Sequence, residues 1–159
     1  MKILVLGLGN DLLSDDGIGI TAARRLKKEN LAMIDIIESN LTGVALMDIF
    51  EGYNKAVIID AVFTKKYRPG TIIELIPEDF SAVESPSPHY TGIAEMIKIA
   101  EQLDIVFPDE IRIIAIEVSD PFTISDKLTK PVTNIIDDLL KHLKSQLFHW
   151  QADIYSSCN

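Results

Sequence analysis

The sequence predicts a three-layer α/β/α sandwich on a five-stranded mixed, mostly parallel sheet. Three observations lead there. Ile3-Leu4-Val5-Leu6 and Ala56-Val57-Ile58-Ile59 are unbroken apolar runs, the pattern of strands covered on both faces. Such runs alternate with stretches whose apolar residues recur at three- and four-residue steps, the helical period. Finally, a short turn region, Thr64 to Gly70, separates the third strand from the fourth. A parallel crossover needs about a dozen residues or more, so the fourth strand is predicted antiparallel.

The elements follow in the order β-α-β-α-β-β-α-β-α. Ile3 to Leu6 is the first strand, and Gly7-Leu8-Gly9-Asn10 is read as a turn because its glycines permit close backbone approach. A helix begins near Gly17 or Ile18 with Ile18, Ala22 and Leu26 on one face, and continues to Asn30. Met33 to Ile37 is the second strand, and a helix follows from Thr42-Gly43 through Phe50. The third strand runs from Ala56 and ends before Asp60; Thr71 to Ile76 is the fourth. Pro77, Pro86 and Pro88 exclude a continuous element between Pro77 and Pro88. Ile93 to Leu103 is a helix with Ile93, Met96, Ile97, Ala100 and Leu103 as its apolar face, and Glu110 to Glu117 is the fifth strand. After a loop from Ser119 to Lys130, Pro131 fits the first turn of a last helix capped by Thr129. Val132, Ile135, Ile136, Leu139, Leu140 and Leu143 mark its buried side, and it is expected to end near Phe148 or Trp150.

With 159 residues the chain is the size of one domain, read as 1–150, with a flexible polar tail at 151–159. A net charge of -9 argues against nucleic acid as a main partner. One cysteine, Cys158, permits no intramolecular disulfide, which fits a reducing, cytoplasmic setting. Met1 leads straight into a strand, so no signal peptide is expected, and no apolar run reaches membrane-spanning length. An apolar helix face left over from the core would leave a homodimer open.

Three groups stand where chemistry could occur: Asp16 after the first strand, Asp60 after the third, and His89 after the proline-rich segment. Two carboxylates and an imidazole suit a borderline divalent metal such as zinc or nickel. Each also has a plainer reading. Asp16 could interact with the dipole of the helix it precedes, worth about 0.3–1 kcal/mol. Asp60 could serve a turn, and His89 could be an ordinary loop residue. Around them, Asp15 neighbours Asp16, Glu38 ends the second strand, and Asn10 could cap the first turn or contact a bound peptide. Other chemistries lack their residues. In a dinucleotide G-x-G-x-x-G frame the third glycine would stand at Leu12; no phosphate-loop segment and no G-x-S-x-G elbow is present.

At these residues the chain resembles the hydrogenase maturation endopeptidases, which process the large subunit of nickel–iron hydrogenases. The likeness is carried by Ile3 to Gly19, ILVLGLGNDLLSDDGIG, by the strand ending in Asp60, and by Ser87 to Gly92, SPHYTG, in that order. The resemblance implies removal of a C-terminal extension from the hydrogenase large-subunit precursor after nickel insertion. It implies Asp16, Asp60 and His89 as the catalytic and metal-contacting residues, with nickel presented by the substrate rather than permanently bound. Asn10, Asp15 and Glu38 are the expected substrate contacts. Where the family commonly has an aspartate followed by glycines and threonine, this chain has Glu38-Ser39-Asn40-Leu41-Thr42-Gly43. A non-catalytic metal- or peptide-binding maturation module with the same fold, and a small nucleotide-binding domain, are the competing readings.

Overall fold

A sheet of order β2-β1-β3-β5-β4 forms the middle layer of the protein. The computed structural model describes residues 2–80 and 93–156. The strands are β1 (Ile3–Leu8), β2 (Ile34–Ser39), β3 (Lys55–Val62), β4 (Ile72–Leu75) and β5 (Glu110–Glu117). The helices are α1 (Ile18–Lys27), α2 (Met47–Phe50), α3 (Ile93–Leu103), α4 (Lys130–Asn134) and α5 (Ile136–Ser156). The strands β2, β1, β3 and β5 run parallel, and β4 is antiparallel to β5. The mixed sheet is therefore as predicted. The fourth strand does not lie beside the third, because β5 inserts between them and β4 takes the edge.

Alternation along the strands sorts side chains into two cores. Ile3 and Val5 of β1 and Val57, Ile59 and Ala61 of β3 face α1 and α5, where Leu26, Leu139, Leu143 and Trp150 fill the layer. Leu4, Leu6 and Leu8 of β1 and Ile58 and Val62 of β3 face the other way, toward Leu46, Phe50 and α3's Ile93 and Met96. Each fully buried side chain of this size contributes about 1.5–3 kcal/mol of transfer free energy, so both layers are needed to hold the sheet.

The boundaries differ from the expectation where tertiary pairing overrides local pattern. Gly7 and Leu8 stay in β1 because they pair with Glu38 and Ser39 of β2. The strand β3 continues through Val62 because β5 provides partners up to Glu117. The helix expected after Gly43 is a 3-10 turn, Gly43–Leu46, followed by the single α-helical turn of α2. The expected last helix is two, separated at Ile135. It also runs further, to Ser156. Leu147 and Trp150 carry its buried stripe on, and the Gln151 side-chain amide donates to the Ala32 carbonyl at 2.8 Å. Most of the expected tail is thus helix.

Candidate active site at the carboxyl edge of the sheet

The connection from β1 to β2 carries α1 on one face of the sheet, and the return from β2 to β3 carries α2 on the other. The chain thus leaves β1 toward one side of the sheet and re-enters at β3 on the other. The carboxyl ends of β1 and β3 are therefore a topological switch point, where open α/β sheets form their binding crevice. Asp16 and Asp60 are delivered to this place from two directions.

Asp60 is the sixth residue of β3, opposite Ala115 of β5, and is fully buried. Its carboxylate accepts a hydrogen bond from the Ala61 N–H at 2.8 Å. Burying a carboxylate among the apolar side chains of Ala56 to Val62 is costly, and such groups gather at functional crevices. Asp16 lies in the 3-10 turn Ser14–Gly17 and is half-buried. Its Oδ2 accepts from the Asn10 N–H at 2.8 Å, closing the loop that follows β1.

Two glycines make the approach of these elements achievable. Gly9 has φ of 130°, and a β-carbon there would sit 1.9 Å from the Asp16 carbonyl oxygen. Gly19 lets α1 rest on the strand ends: a β-carbon would lie 2.2 Å from the Leu8 carbonyl oxygen and 2.3 Å from that of Ile59. With Gly19 seated on the residue before Asp60, the turn carrying Asp16 packs against β3. Both aspartates are therefore set on one edge by backbone contacts.

Asp15 faces away from Asp16. It is fully buried, and its oxygens accept from the backbone N–H groups of Ser119, Asp120 and Thr129 and from the Thr129 hydroxyl, at 2.7–3.0 Å. Expected among the substrate contacts, it is instead the internal anchor of the 119–129 loop. The Thr129 hydroxyl consequently serves Asp15 rather than capping α4. Ser14 extends the same junction, its hydroxyl donating to the Lys127 carbonyl at 2.9 Å.

Asn10 and Glu38 line an open groove of about 250 Å³ beside Gly9, Asp11, Arg24 and Ser39. The Asn10 side-chain carbonyl accepts from the Leu12 N–H at 3.0 Å, so it also braces its own turn. Glu38 pairs with the Arg24 Nε at 2.8 Å, and the same guanidinium reaches Asp11 through Nη1 at 2.7 Å. Hydrogen bonding to Asp11, with added attraction from Glu38, raises the Arg24 pKa further. Arg24 is not singled out by the sequence; its place in the wall of the groove becomes clear once β2 lies beside β1 and brings Glu38 to it. Glu117 was likewise missed. It is buried at the end of β5 and accepts from the Thr64 and Lys65 N–H groups at 2.8 Å, holding the 63–71 loop against the same edge.

His89, the third expected ligand, and Cys158 lie outside the described residues. Among the described residues no three His, Cys, Asp or Glu side chains gather to hold a metal, and no helix is long and apolar enough to cross a membrane. What the described edge provides is two carboxylates at the switch point of the sheet, Asp60 buried and Asp16 half-buried.

Residues 20–146 match the family model described as hydrogenase maturation protease. The Hydrogenase 2 maturation protease of Escherichia coli K12 is 28% identical over 151 residues, which span 92% of this chain and 91% of that protein. A hydrogenase expression/formation protein of Rhizobium leguminosarum is 26% identical over 155 residues, 94% of this chain and 75% of that one. The backbone also matches a solved hydrogenase maturating endopeptidase of E. coli, with a TM-score of 0.79, 26% identity, and 94% and 93% of the two chains covered. For the [NiFe] hydrogenase maturation protease of Thermococcus kodakarensis the TM-score is 0.71 at 24% identity, over 92% and 99%, a likeness of fold.

Proposed function

The chain belongs to the hydrogenase maturation protease family, and from that membership we propose that it is the endopeptidase that removes a C-terminal extension from the large-subunit precursor of a nickel–iron hydrogenase, in a reaction that depends on nickel carried by the precursor. The observation that carries the proposal is the placing of Asp16 and Asp60 at one switch point, on rigid elements, in a chain of this family. Here nickel is part of the substrate, and the protein reads it.

In this reading Asp16, Asp60 and His89 engage the nickel ion held at the precursor's maturing centre. Carboxylate oxygens and a neutral imidazole are donors that nickel accepts. Asp60 is fixed by its strand and by the Ala61 N–H, so it offers a preorganised oxygen. Asp16 is the more open of the two and is the candidate to take the proton of an attacking water. The ion would polarise the scissile carbonyl or bring that water to it. The imidazole must be neutral to bind, so cleavage should weaken as His89 protonates in acid.

The test is the intact mass of a nickel-loaded large-subunit precursor after incubation with the wild-type protein or with Asp16→Asn, Asp60→Asn or His89→Ala. Loss of a C-terminal peptide with wild type alone is the expected outcome. Equal processing by all four proteins would remove these residues from their assigned role, and an unshortened precursor with each would turn the reading toward a binding module.

A further inference from the structure

We propose that the loops 63–71 and 119–130 together form a docking rim, outside the cleavage crevice, for an acidic surface segment bearing apolar side chains on the precursor protein. The proposal rests on the cleavage reading for the identity of the partner, and on three observations for the rim.

The first is that the two loops are one structure. The Phe63 and Phe122 rings meet edge to face with centroids 5.3 Å apart. Gly70 sits so close to α4 that a β-carbon would lie 3.0 Å from the Pro131 carbonyl oxygen. Buried carboxylates pin each loop from beneath: Glu117 holds Thr64 and Lys65, and Asp15 holds Ser119, Asp120 and Thr129. A surface held this firmly loses little conformational entropy when a partner binds.

The second is its chemistry. Phe122 is 69% exposed and Ile124 is 87% exposed; Leu12, bonded through its carbonyl to the Ser125 N–H, is 64% exposed. Clustered exposed apolar side chains mark interaction sites more than solitary ones do.

The third is charge. The whole chain is at -9, yet these loops carry Lys65, Lys66, Arg68, Lys127 and Lys130 against Asp120 and Asp126. All five cations are exposed, and among the described residues none is in an ion pair. Lys65 instead lies over the Phe63 ring at 5.1 Å, and Asp120, whose carboxylate accepts from the Phe122 and Thr123 N–H groups, together with Asp126 still leaves the side chains of the two loops three positive charges in excess, five against two. A basic, apolar rim on an acidic protein selects an acidic partner and repels a second copy of itself. The exposed aliphatic side chains of Leu12 and Ile124 find apolar partners on a protein surface rather than on a phosphate backbone.

The test measures association and dissociation of the nickel-loaded precursor on the wild-type protein, on the Lys65→Glu/Lys66→Glu double variant, and on Phe122→Ser and Ile124→Ser. Circular dichroism confirms folding, which exposed positions should leave intact. The charge-reversed variant should associate about tenfold more slowly, since rim charges act on the on-rate. Raising salt from about 0.1 M to about 1 M, which cuts the screening length from about 10 Å to about 3 Å, should slow the wild type toward the variant. The two serine variants should dissociate severalfold faster, and all should keep the wild-type kcat at saturating precursor. Rates within twofold of wild type for every variant would overturn the docking rim while leaving the cleavage reading intact. Precursor held through the rim but never shortened would sustain the rim and sink the cleavage reading. A wild type that does not bind the precursor, or variants that lose affinity for anionic vesicles alone, would end the proposal.

Discussion

Replacing Asp15 by alanine should destabilise the protein by about 3 kcal/mol through the loss of one buried carboxylate. The side chain is fully buried and accepts four hydrogen bonds: Ser119 N, Asp120 N and the Thr129 hydroxyl on Oδ2, and Thr129 N on Oδ1. Alanine leaves three backbone donors without this acceptor, each costing about 1–3 kcal/mol if it stays dry. The loop around them is only partly buried, so water recovers some of that loss and the total falls at the lower end. Asparagine is the sharper variant. Its oxygen can replace Oδ2 and keep three bonds, but its amide nitrogen then faces the Thr129 N–H, donor against donor, and about 2 kcal/mol should still be lost. In urea, with a slope of about 2 kcal/mol per molar for a chain of this size, the alanine variant's midpoint should fall by about 1.5 M. The amides of Ser119, Asp120 and Thr129 should exchange faster in both variants under native conditions. An alanine variant whose midpoint moves by less than about 0.25 M would refute the anchoring role.

Further outcomes follow from the same contacts. Gly19→Ala inserts a methyl 2.2 Å from the Leu8 carbonyl and 2.3 Å from that of Ile59; it should cost about 3 kcal/mol in urea unfolding and abolish processing, although neither aspartate is altered. Gly52→Ala is the contrast: no atom lies within 4 Å and only its φ of 84° is unfavourable, so about 1–2 kcal/mol should be lost with processing retained. Burial, then the hydrogen bond to Asp35, pushes the Tyr53 phenol up to about 12. Because the folded value is raised, its contribution is complete below the unfolded value of about 10 and is lost as pH climbs toward 12. Tyr53→Phe should therefore flatten the fall in stability between those two pH values, which urea titrations across that window would register.

The layered fold was legible because it rests on periodicity. The apolar runs at Ile3 and Ala56 and the helical stripes of α1, α3 and the last helix each betray their burial without reference to a neighbour. What escaped was set by distant partners. Gly7 looked like a turn glycine, yet β2 pairs with it and keeps it in the strand. Gln151 looked like the start of a polar tail until the Ala32 carbonyl lay within its reach. In the site, the buried strand that carries Asp60 was readable, although pairing with β5 extends it through Val62 and so sets Asp60 inside it, and Asp16 was readable ahead of α1. The division of labour between adjacent aspartates was not. Asp15 and Asp16 differ by one step in a 3-10 turn, which points one carboxylate into the 119–129 loop and the other to Asn10. The acceptors on Asp15 serve donors more than a hundred residues away, which no local pattern announces.

The central claim is that this protein's own side chains close on a nickel ion brought by the precursor. Nickel K-edge X-ray absorption of the nickel-loaded precursor, alone and bound to the wild-type protein, tests it most directly. Binding should add oxygen and imidazole scatterers to the nickel shell, the imidazole lost with His89→Ala and an oxygen with Asp60→Ala. A spectrum unchanged on binding, while the precursor is still shortened, would contradict it.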